Sequence, residues 1–384
     1  LVVNSEATGF RFPEQTTTFM CPQSDAMIGW KRTKPSYEEE YKADAPMDVR
    51  SQYGHGYTFP CLFRVGDNGW VLVSETGVDS RYCGSRLSDV TEGNLYTAYT
   101  PPVYGQVGDE SQAAEHGGWY LTYEDNFDGD ALNSDLWVTS PHGLRNTEYW
   151  CDNMVRVENG NCVISAAYLD DNDCPDGKCP ASGDFTSGIE TRGKQEQVFG
   201  YYEARVKFPK AEGLWSAMWF QSGTMGRLGN GGKDGSEIDV FESSFYHNPT
   251  QIGHCIHWDG YSDTWHRDSG AVVDTGVDLY DDYHVWGLLW TPTEYTFFLD
   301  GKPIACTNAG GVSHVAEYLR FTVEIRHTEY GPYGQKLGEF INTRENPAEF
   351  QIDYVRAYQN TDFIASQKTA EDFKQPLLAK LVQK

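Results

Sequence analysis

The chain has 384 residues and a formal net charge of −26, from 56 Asp and Glu against 30 Lys and Arg. That balance argues against nucleic acid or an anionic membrane surface as partner, and no run approaches the 18 or so apolar residues of a transmembrane helix. Aromatic residues make up 14%, including 11 Trp and 24 Tyr, a stock that can stack on sugar rings as readily as fill a core.

The length suggests two or three domains with ample core. The 39 Gly and 17 Pro suit an all-β chain rich in turns. The acidity also weighs, more weakly, against a heavily sulfated polysaccharide, so a neutral glycan is the easier partner. The chain starts at Leu1 with no visible leader, which fits a mature or trimmed form that is secreted, periplasmic or on the cell surface. A monomer is expected.

Residues 1–100 read as β structure. The runs TFPCLFRV and GWVLVSET are rich in β-branched and aromatic residues, with Gly66-Asp67-Asn68-Gly69 as the turn between them. GYTFPCLFRVGDNGWVLVSET and SRYCGSRL resemble part of the N-terminal β-sandwich of glycoside hydrolase family 97, without that family's catalytic barrel. The resemblance implies a small accessory domain packed on its neighbour, with an independent carbohydrate-binding module as the alternative. Residues 101–117, PPVYGQVGDESQAAEHG, read as a polar linker.

From 118 to 360 strand follows strand with turn signals at short intervals, the pattern of a β-sandwich. The nine cysteines are an odd count. Cys174 and Cys179, in DNDCPDGKCP, could close a short disulfide; a C-x4-C metal half-site is the rival, but no second pair has matching spacing. Cys151 and Cys162 flank a predicted turn and could pair across a hairpin. Cys21, Cys61, Cys83, Cys255 and Cys306 have no evident partner. SGIETRGKQEQVFGYYEARVKF, residues 187–208, reads as two strands joined by Phe199-Gly200, with Glu190 and Arg192 on one face. Such a pair can hold several sugar hydroxyls, although an exposed cross-strand salt bridge is the plainer reading. In GLWSAMWFQS, residues 213–222, Trp215, Ala217 and Trp219 share one face and Met218 and Phe220 the other. Two indoles around a small residue make either a sugar platform or a core stripe.

The stretch Glu237-Ile238-Asp239-Val240-Phe241-Glu242 places three carboxylates within six residues. On a strand, Glu237 and Asp239 would face a cleft while Ile238 and Val240 face a core. Strict alternation would turn Glu242 away; one extra residue, a β-bulge around Val240 or Phe241, returns it. Paired carboxyl groups suit glycosidic bond cleavage, because their mutual repulsion keeps one protonated while another stays ionised. At roughly 3.3 Å per residue the Cα atoms of 237 and 242 stand about 13 Å apart. The side chains must therefore lean together over a curved sheet face. An exposed strand with solvated acids is the plainer alternative.

In GHCIHWDGYSDTW, residues 253–265, alternation puts His254 and His257 on opposite faces, so a shared zinc is not expected. His257 or Trp258 beside the acid strand could contact substrate or a carboxylate, and Trp258, Tyr261 and Trp265 could extend a stacking surface. The final stretch from Thr361, with TAEDFKQPLLAKLVQK, reads as a frayed tail or a short amphipathic helix interrupted by Pro376.

From YEDNFDGDALNSDLW to FQIDYVRAYQ, and above all in its bulged Glu-x-Asp-x-x-Glu, the chain resembles glycoside hydrolase family 16. The resemblance implies a concanavalin-like β-jelly roll of two curved antiparallel sheets. It implies Glu237 as nucleophile, Glu242 as general acid/base and Asp239 as the carboxyl that tunes its neighbours. It tips Trp215 and Trp219 toward sugar binding and adds Asn146 of RNTEYW, Glu190 and Arg192. It also implies a structural calcium ion far from the cleft, at Asp353 and Gly160, although the region around Asn126 lacks the usual acidic residue. No cofactor is expected for catalysis. The expected activity is retaining endo-hydrolysis of a neutral β-1,3- or mixed-linkage β-glucan. The alternatives are a galactan-type endo-hydrolase and a binding protein without catalysis. A transglycosylase ranks lower, since such members tend to have the unbulged motif.

Overall fold

A computed structural model describes residues 118–369 continuously, together with strand backbones at 61–65, 69–73 and 95–96 and residues 110, 113 and 372–373. Cys61–Val65 pairs antiparallel with Gly69–Val73, in the register Cys61 to Val73 and Val65 to Gly69, and Leu95–Tyr96 adds a third strand. The rest of the accessory domain, most of the linker and most of the tail lie outside the described residues. Of the tail, a short helix, Thr361–Ile364, is described; its N-terminus is capped by the Asn360 side chain accepting from the Asp362 amide at 2.9 Å.

Within 118–360 the strands make two facing sheets of 8 and 11 strands. The cleft-bearing sheet runs Arg267–Asp274, Gln251–Trp258, Glu237–Ser243, Leu214–Gln221, Glu317–Ile325, Gly188–Glu190, Val138–Thr139, and Glu196–Gln197 also pairs with Glu317–Ile325. Its pairings are antiparallel, which lets one face pack on a core while the other meets solvent. The central strand of the second sheet is Ala348–Asn360, flanked by Gly200–Lys207, Asn161–Leu169 and Trp119–Asp125.

Side-chain alternation decides what each strand contributes. Met218 and Phe220 go to the core between the sheets, as do Leu319, Phe321, Val323 and Ile325. Their odd or even neighbours, Trp215, Ala217, Trp219, Arg320, Thr322 and Glu324, line the opposite face. In the core, Phe208 sits 5.1 Å from Phe241 and 5.8 Å from Trp286, ring centre to ring centre, and Phe241 lies 5.1 Å from Trp286. Aromatic contacts of this kind tie the acid strand to the second sheet.

The acid strand is bulged. Against Leu214–Gln221 its register runs Met218 to Phe241 and then Trp219 to Asp239, leaving Val240 without an opposite residue. Against Gln251–Trp258 it passes from Asp239 opposite Cys255 to Glu242 opposite Gly253. Val240 and Phe241 are both fully buried in the core, and Glu242 thereby shares a face with Glu237 and Asp239.

Residues 187–208 hold the two expected strands, Gly188–Glu190 and Gly200–Lys207, in different sheets. Gly188–Glu190 belongs to the cleft sheet and Gly200–Lys207 to the other, so the chain changes sheets at Phe199-Gly200. Both residues take positive φ, 59° and 114°, and a Cβ at Gly200 would collide with the Tyr358 carbonyl.

Deletion tests the bulge. Removing Val240 converts the strand to regular alternation with all three carboxylates still on one face. That variant is expected to stay soluble and unfold cooperatively at a lowered Tm. Removing Ile238 turns Glu237 and its upstream neighbours over and should abolish cooperative unfolding. Equal behaviour of the two deletions, read by calorimetry, would contradict the register.

Candidate active site

Glu237, Asp239 and Glu242 line one cleft of about 720 Å³. Glu242 and Asp239 are buried side chains within it, and Glu237 is partly open. The Tyr261 hydroxyl donates to Glu237 Oε2, and Gln221 Nε2 stands 3.5 Å from the same oxygen. The Tyr333 hydroxyl donates to Glu242 Oε2. Gly253, opposite Glu242, makes room for that phenol: a Cβ there would run into the Tyr333 ring. His257 lies between the other two acids, with Nε2 3.2 Å from Asp239 Oδ2 and 3.6 Å from Glu237 Oε1. Its Nδ1 is 2.8 Å from His266 Nε2. Just upstream, the buried Glu317 accepts from both the amide and the hydroxyl of Ser236, each at 3.0 Å, which fixes where the acid strand begins.

The environment separates the three acids. Burial, then the nearby Asp239, pushes Glu237 up to about 7, against the opposing pull of His257 and Tyr261. Burial and Asp239 hold Glu242 well above the ordinary carboxyl range, only partly offset by the Tyr333 hydrogen bond. Burial raises Asp239 too, while His257 works against it. Burial alone would depress His257, but Cys255, Asp239 and Glu237 outweigh it and hold the imidazole well above its usual value. One carboxyl that keeps its proton beside another that titrates near neutrality is the arrangement acid/base work requires.

A second set of charges lines the far side of the cleft. Arg320 is buried and pairs at 2.8 Å with Glu190, itself 2% exposed. Its guanidinium lies 4.0 Å over the Trp219 ring. Arg326 lies 4.5 Å over Trp215 and pairs at 2.6 Å with Glu324, which also takes Arg145 at 2.9 Å. Arg192 pairs with Glu190 at 3.3 Å and its Nη2 donates to the Tyr318 hydroxyl at 2.8 Å.

Trp215, Trp219, Arg192 and His257 thus line the cleft with the three acids. Of the two indoles Trp215 is the more open, since Trp219 is 6% exposed and capped by Arg320. Asn146 sits at the rim, where its side chain donates to Glu324 at 2.9 Å. Glu190 does not reach the cleft surface. It is a buried counter-ion beneath it, and breaking such a pair costs roughly 3–5 kcal/mol. Trp258 is also displaced from its expected place: it is 3% exposed, belongs to the core and packs on Gly310. The alternation that turns His257 to the cleft turns Trp258 inward. Trp265 is exposed, with its backbone in a turn closed by Ser262.

Sequence reasoning did not single out Tyr333, Arg320, Arg326, Glu324, Gln221 or Arg145. The alternation Tyr318, Arg320, Thr322, Glu324, Arg326 around Leu319, Phe321, Val323 and Ile325 was a signal for three of them. Tyr333 comes from a loop, and only the fold brings it to Glu242.

The calcium site expected at Asp353 and Gly160 is not suited to a cation by its donors. Arg205 Nη1 already pairs with Asp353 Oδ2 at 2.6 Å, so the one carboxylate of the set is neutralised. Gly160 forms a turn with φ of 74° between Val155–Glu158 and Asn161–Leu169. The Asn126 side chain stands 3.5 Å from Arg356, another guanidinium. The hairpin expected to join Cys151 to Cys162 exists only for Cys162, which pairs with Val157; Cys151 lies in a separate apolar cluster, and both are free thiols.

Residues 121–360 match the family described as "Beta-porphyranase A-D, GH16 domain", and residues 1–122 match "Glycosyl-hydrolase 97 N-terminal". A β-glucanase of Rhodothermus marinus is 26% identical over 268 residues, 65% of this chain and 88% of that protein. A glucan endo-1,3-β-glucosidase of Cryptopygus antarcticus is 32% identical over 201 residues, 50% of this chain and 70% of its own. The catalytic domain of an endo-1,3-β-glucanase (laminarinase) from Thermotoga petrophila RKU-1 superposes with a TM-score of 0.50 at 23% identity, covering 63% of this chain and 98% of that one. At that identity the likeness speaks for the fold.

The two phenols give a prediction with opposite targets. Tyr261→Phe removes a bond that favours ionised Glu237, so the lower carboxyl step should move above about 7. Tyr333→Phe should raise the Glu242 step and leave the lower one nearly in place. Side-chain carboxyl ¹³C titrations would show both, as midpoints of a coupled set. A lower step that falls or stays put in Tyr261→Phe contradicts the assignment.

Proposed function

The chain belongs to glycoside hydrolase family 16 and is a glycoside hydrolase, and on that footing we propose that it cleaves a β-linked polysaccharide internally, with retention of configuration. The observation that carries this reading is the bulge that sets Glu242 beside Glu237 and Asp239 on one cleft face. Glu237, titrating near neutrality, attacks the anomeric carbon. Glu242, held protonated, gives its proton to the departing glycosidic oxygen. In the second step Glu242 takes a proton from water, which opens the glycosyl-enzyme from the opposite side. Asp239 reports to both through charge, and His257 steadies Asp239 and Glu237. Trp215 offers the most open ring for a sugar face.

A β-1,3- or mixed-linkage β-glucan is the first reading of the substrate, supported by the glucanase relatives. An anionic galactan is the second, favoured by a specific feature. Away from the three acids, Arg145, Arg192, Arg320 and Arg326 line the cleft with only Glu190 and Glu324 paired to them, a local excess of positive charge on that wall in a chain that is otherwise strongly acidic. The family description "Beta-porphyranase A-D" points the same way.

Two experiments separate these claims. In the first, Glu237→Ala and Glu242→Ala should each lose several orders of magnitude on polysaccharide. On a dinitrophenyl glycoside with azide, Glu242→Ala should yield the β-azide and Glu237→Ala the α-azide, read by proton NMR. Swapped anomers would swap the roles. In the second, laminarin, barley-type β-glucan, agarose, porphyran and mucin glycans are scored for reducing ends and product size. Short oligosaccharides from the first two support the glucan reading. Products from the galactans alone would replace it while leaving the mechanism intact.

A further inference from the structure

Behind one wall of the cleft three thiols and an imidazole converge from three separate segments. Cys151 follows the strand Tyr149–Trp150, and His142 belongs to the stretch 141–145 that lines the cleft. Cys174 and Cys179 come from the loop between Asn161–Leu169 and Gly183–Thr186. The Cys179 thiol is within hydrogen-bonding reach of both Cys174 and Cys151, and Cys151 of Cys174. The ligand atoms of His142, Cys151 and Cys174 all lie within 4.8 Å of one another, and His142 Nδ1 is 3.7 Å from Cys174 Sγ. All three cysteines are free.

We propose that Cys151, Cys174, Cys179 and His142 form a structural Zn²⁺ site that pins this loop to the cleft wall. Three sulfurs and one imidazole nitrogen are a full tetrahedral donor set for zinc. Zn–S bonds of about 2.3 Å and Zn–N bonds of about 2.0–2.1 Å set an N···S edge at about 3.6 Å, close to the 3.7 Å seen. Soft thiolates select zinc over calcium or magnesium. The C-x4-C half-site in the sequence lacked a second pair by spacing; the fold supplies one from Cys151 and His142.

The neighbours suit a bound metal. His142 Nε2 accepts from the Asp152 amide at 3.3 Å and Nδ1 faces Asp176 Oδ2 at 3.0 Å; with Nδ1 on zinc instead, Nε2 carries the proton and Asp152 Oδ1, 3.5 Å away, is the acceptor within reach. Asp176 keeps Lys178 as a partner at 2.9 Å once the thiols have released their protons to solvent. The loop also needs an anchor. DDNDCPDGKCPAS, residues 170–182, contains no Val, Leu, Ile, Met or aromatic residue. Its cysteines are what it packs against Met154, Ala167, Leu169 and Phe185. A disulfide would use two of the thiols and strand the third.

The site is independent of which polysaccharide is cleaved, and metal content reads it directly. The intact chain, purified with reductant and dialysed against metal-free buffer, should hold one zinc per chain by mass spectrometry. Cys174→Ser/Cys179→Ser should hold none and melt lower, and added Zn²⁺ should restore Tm only to chelator-treated wild type. If the double variant does not fold, Co²⁺ titration of metal-stripped wild type decides: sulfur-to-cobalt charge transfer with tetrahedral d–d bands at one equivalent is the expected result. Equal zinc in wild type and variant would mean an adventitious ion only and overturn the proposal. So would wild type that gives no thiolate–cobalt band, or unreduced peptide maps that join two of the three cysteines.

Discussion

Val240 and Phe241, neighbours in sequence, both send their side chains into the core, and the rest of the site depends on that local departure from alternation. The two buried side chains cost the strand one ladder position. In return Glu242 faces the same way as Glu237 and Asp239, and Phe241 locks the strand to Trp286 and Phe208 of the facing sheet. The carboxylates are therefore held on a rigid element backed by a packed core rather than on a loop, which suits groups whose mutual placement sets their acidity.

Three acids packed into one buried corner must be compensated, and the compensation is asymmetric. On one side His257, its imidazole held well above its usual value by its neighbours, lies against Asp239 and Glu237, while Glu242 takes its hydrogen bond from Tyr333 and feels His257 only at longer range. Desolvation therefore dominates at Glu242 and is partly answered at Glu237, which is how two Glu residues five positions apart come to differ. Across the floor, Arg320 is held by Glu190 from below and lies 4.0 Å over the Trp219 ring. That arrangement fixes positive charge and an aromatic surface together, with little side-chain freedom left to lose on binding.

The cleft is assembled from segments remote in sequence. The sheet contributes its floor; the stretch 141–145, Arg192, Tyr261 and Arg326 contribute its walls. Glu324 links two of these walls by pairing with both Arg145 and Arg326. The thiol cluster stands behind the same 141–145 stretch, so loop order there bears directly on cleft shape. Connecting segments thus supply much of the cleft lining around a rigid sheet, the usual division of labour between scaffold and loops.

The sequence by itself determined the fold class, the strand that carries the acids, the need for a bulge near Val240, and which side chains of 213–222 share a face. These are local consequences of a two-residue period and of the rule that apolar side chains go inward. Tertiary structure decided the rest, because it turns on which strands become neighbours. Glu190 reads as a sugar contact until Arg320 is found against it; Trp258 reads as a platform until its face is fixed by His257 pointing the other way. Gly188–Glu190 and Gly200–Lys207 read as two strands joined by Phe199-Gly200, but only the fold shows that they lie in opposite sheets, with positive φ at both joining residues. Tyr333 meets Glu242 across 91 residues, and Cys151 and His142 meet Cys174 across a loop. Such contacts arise from chain reversals and sheet order, and no short-range pattern encodes them.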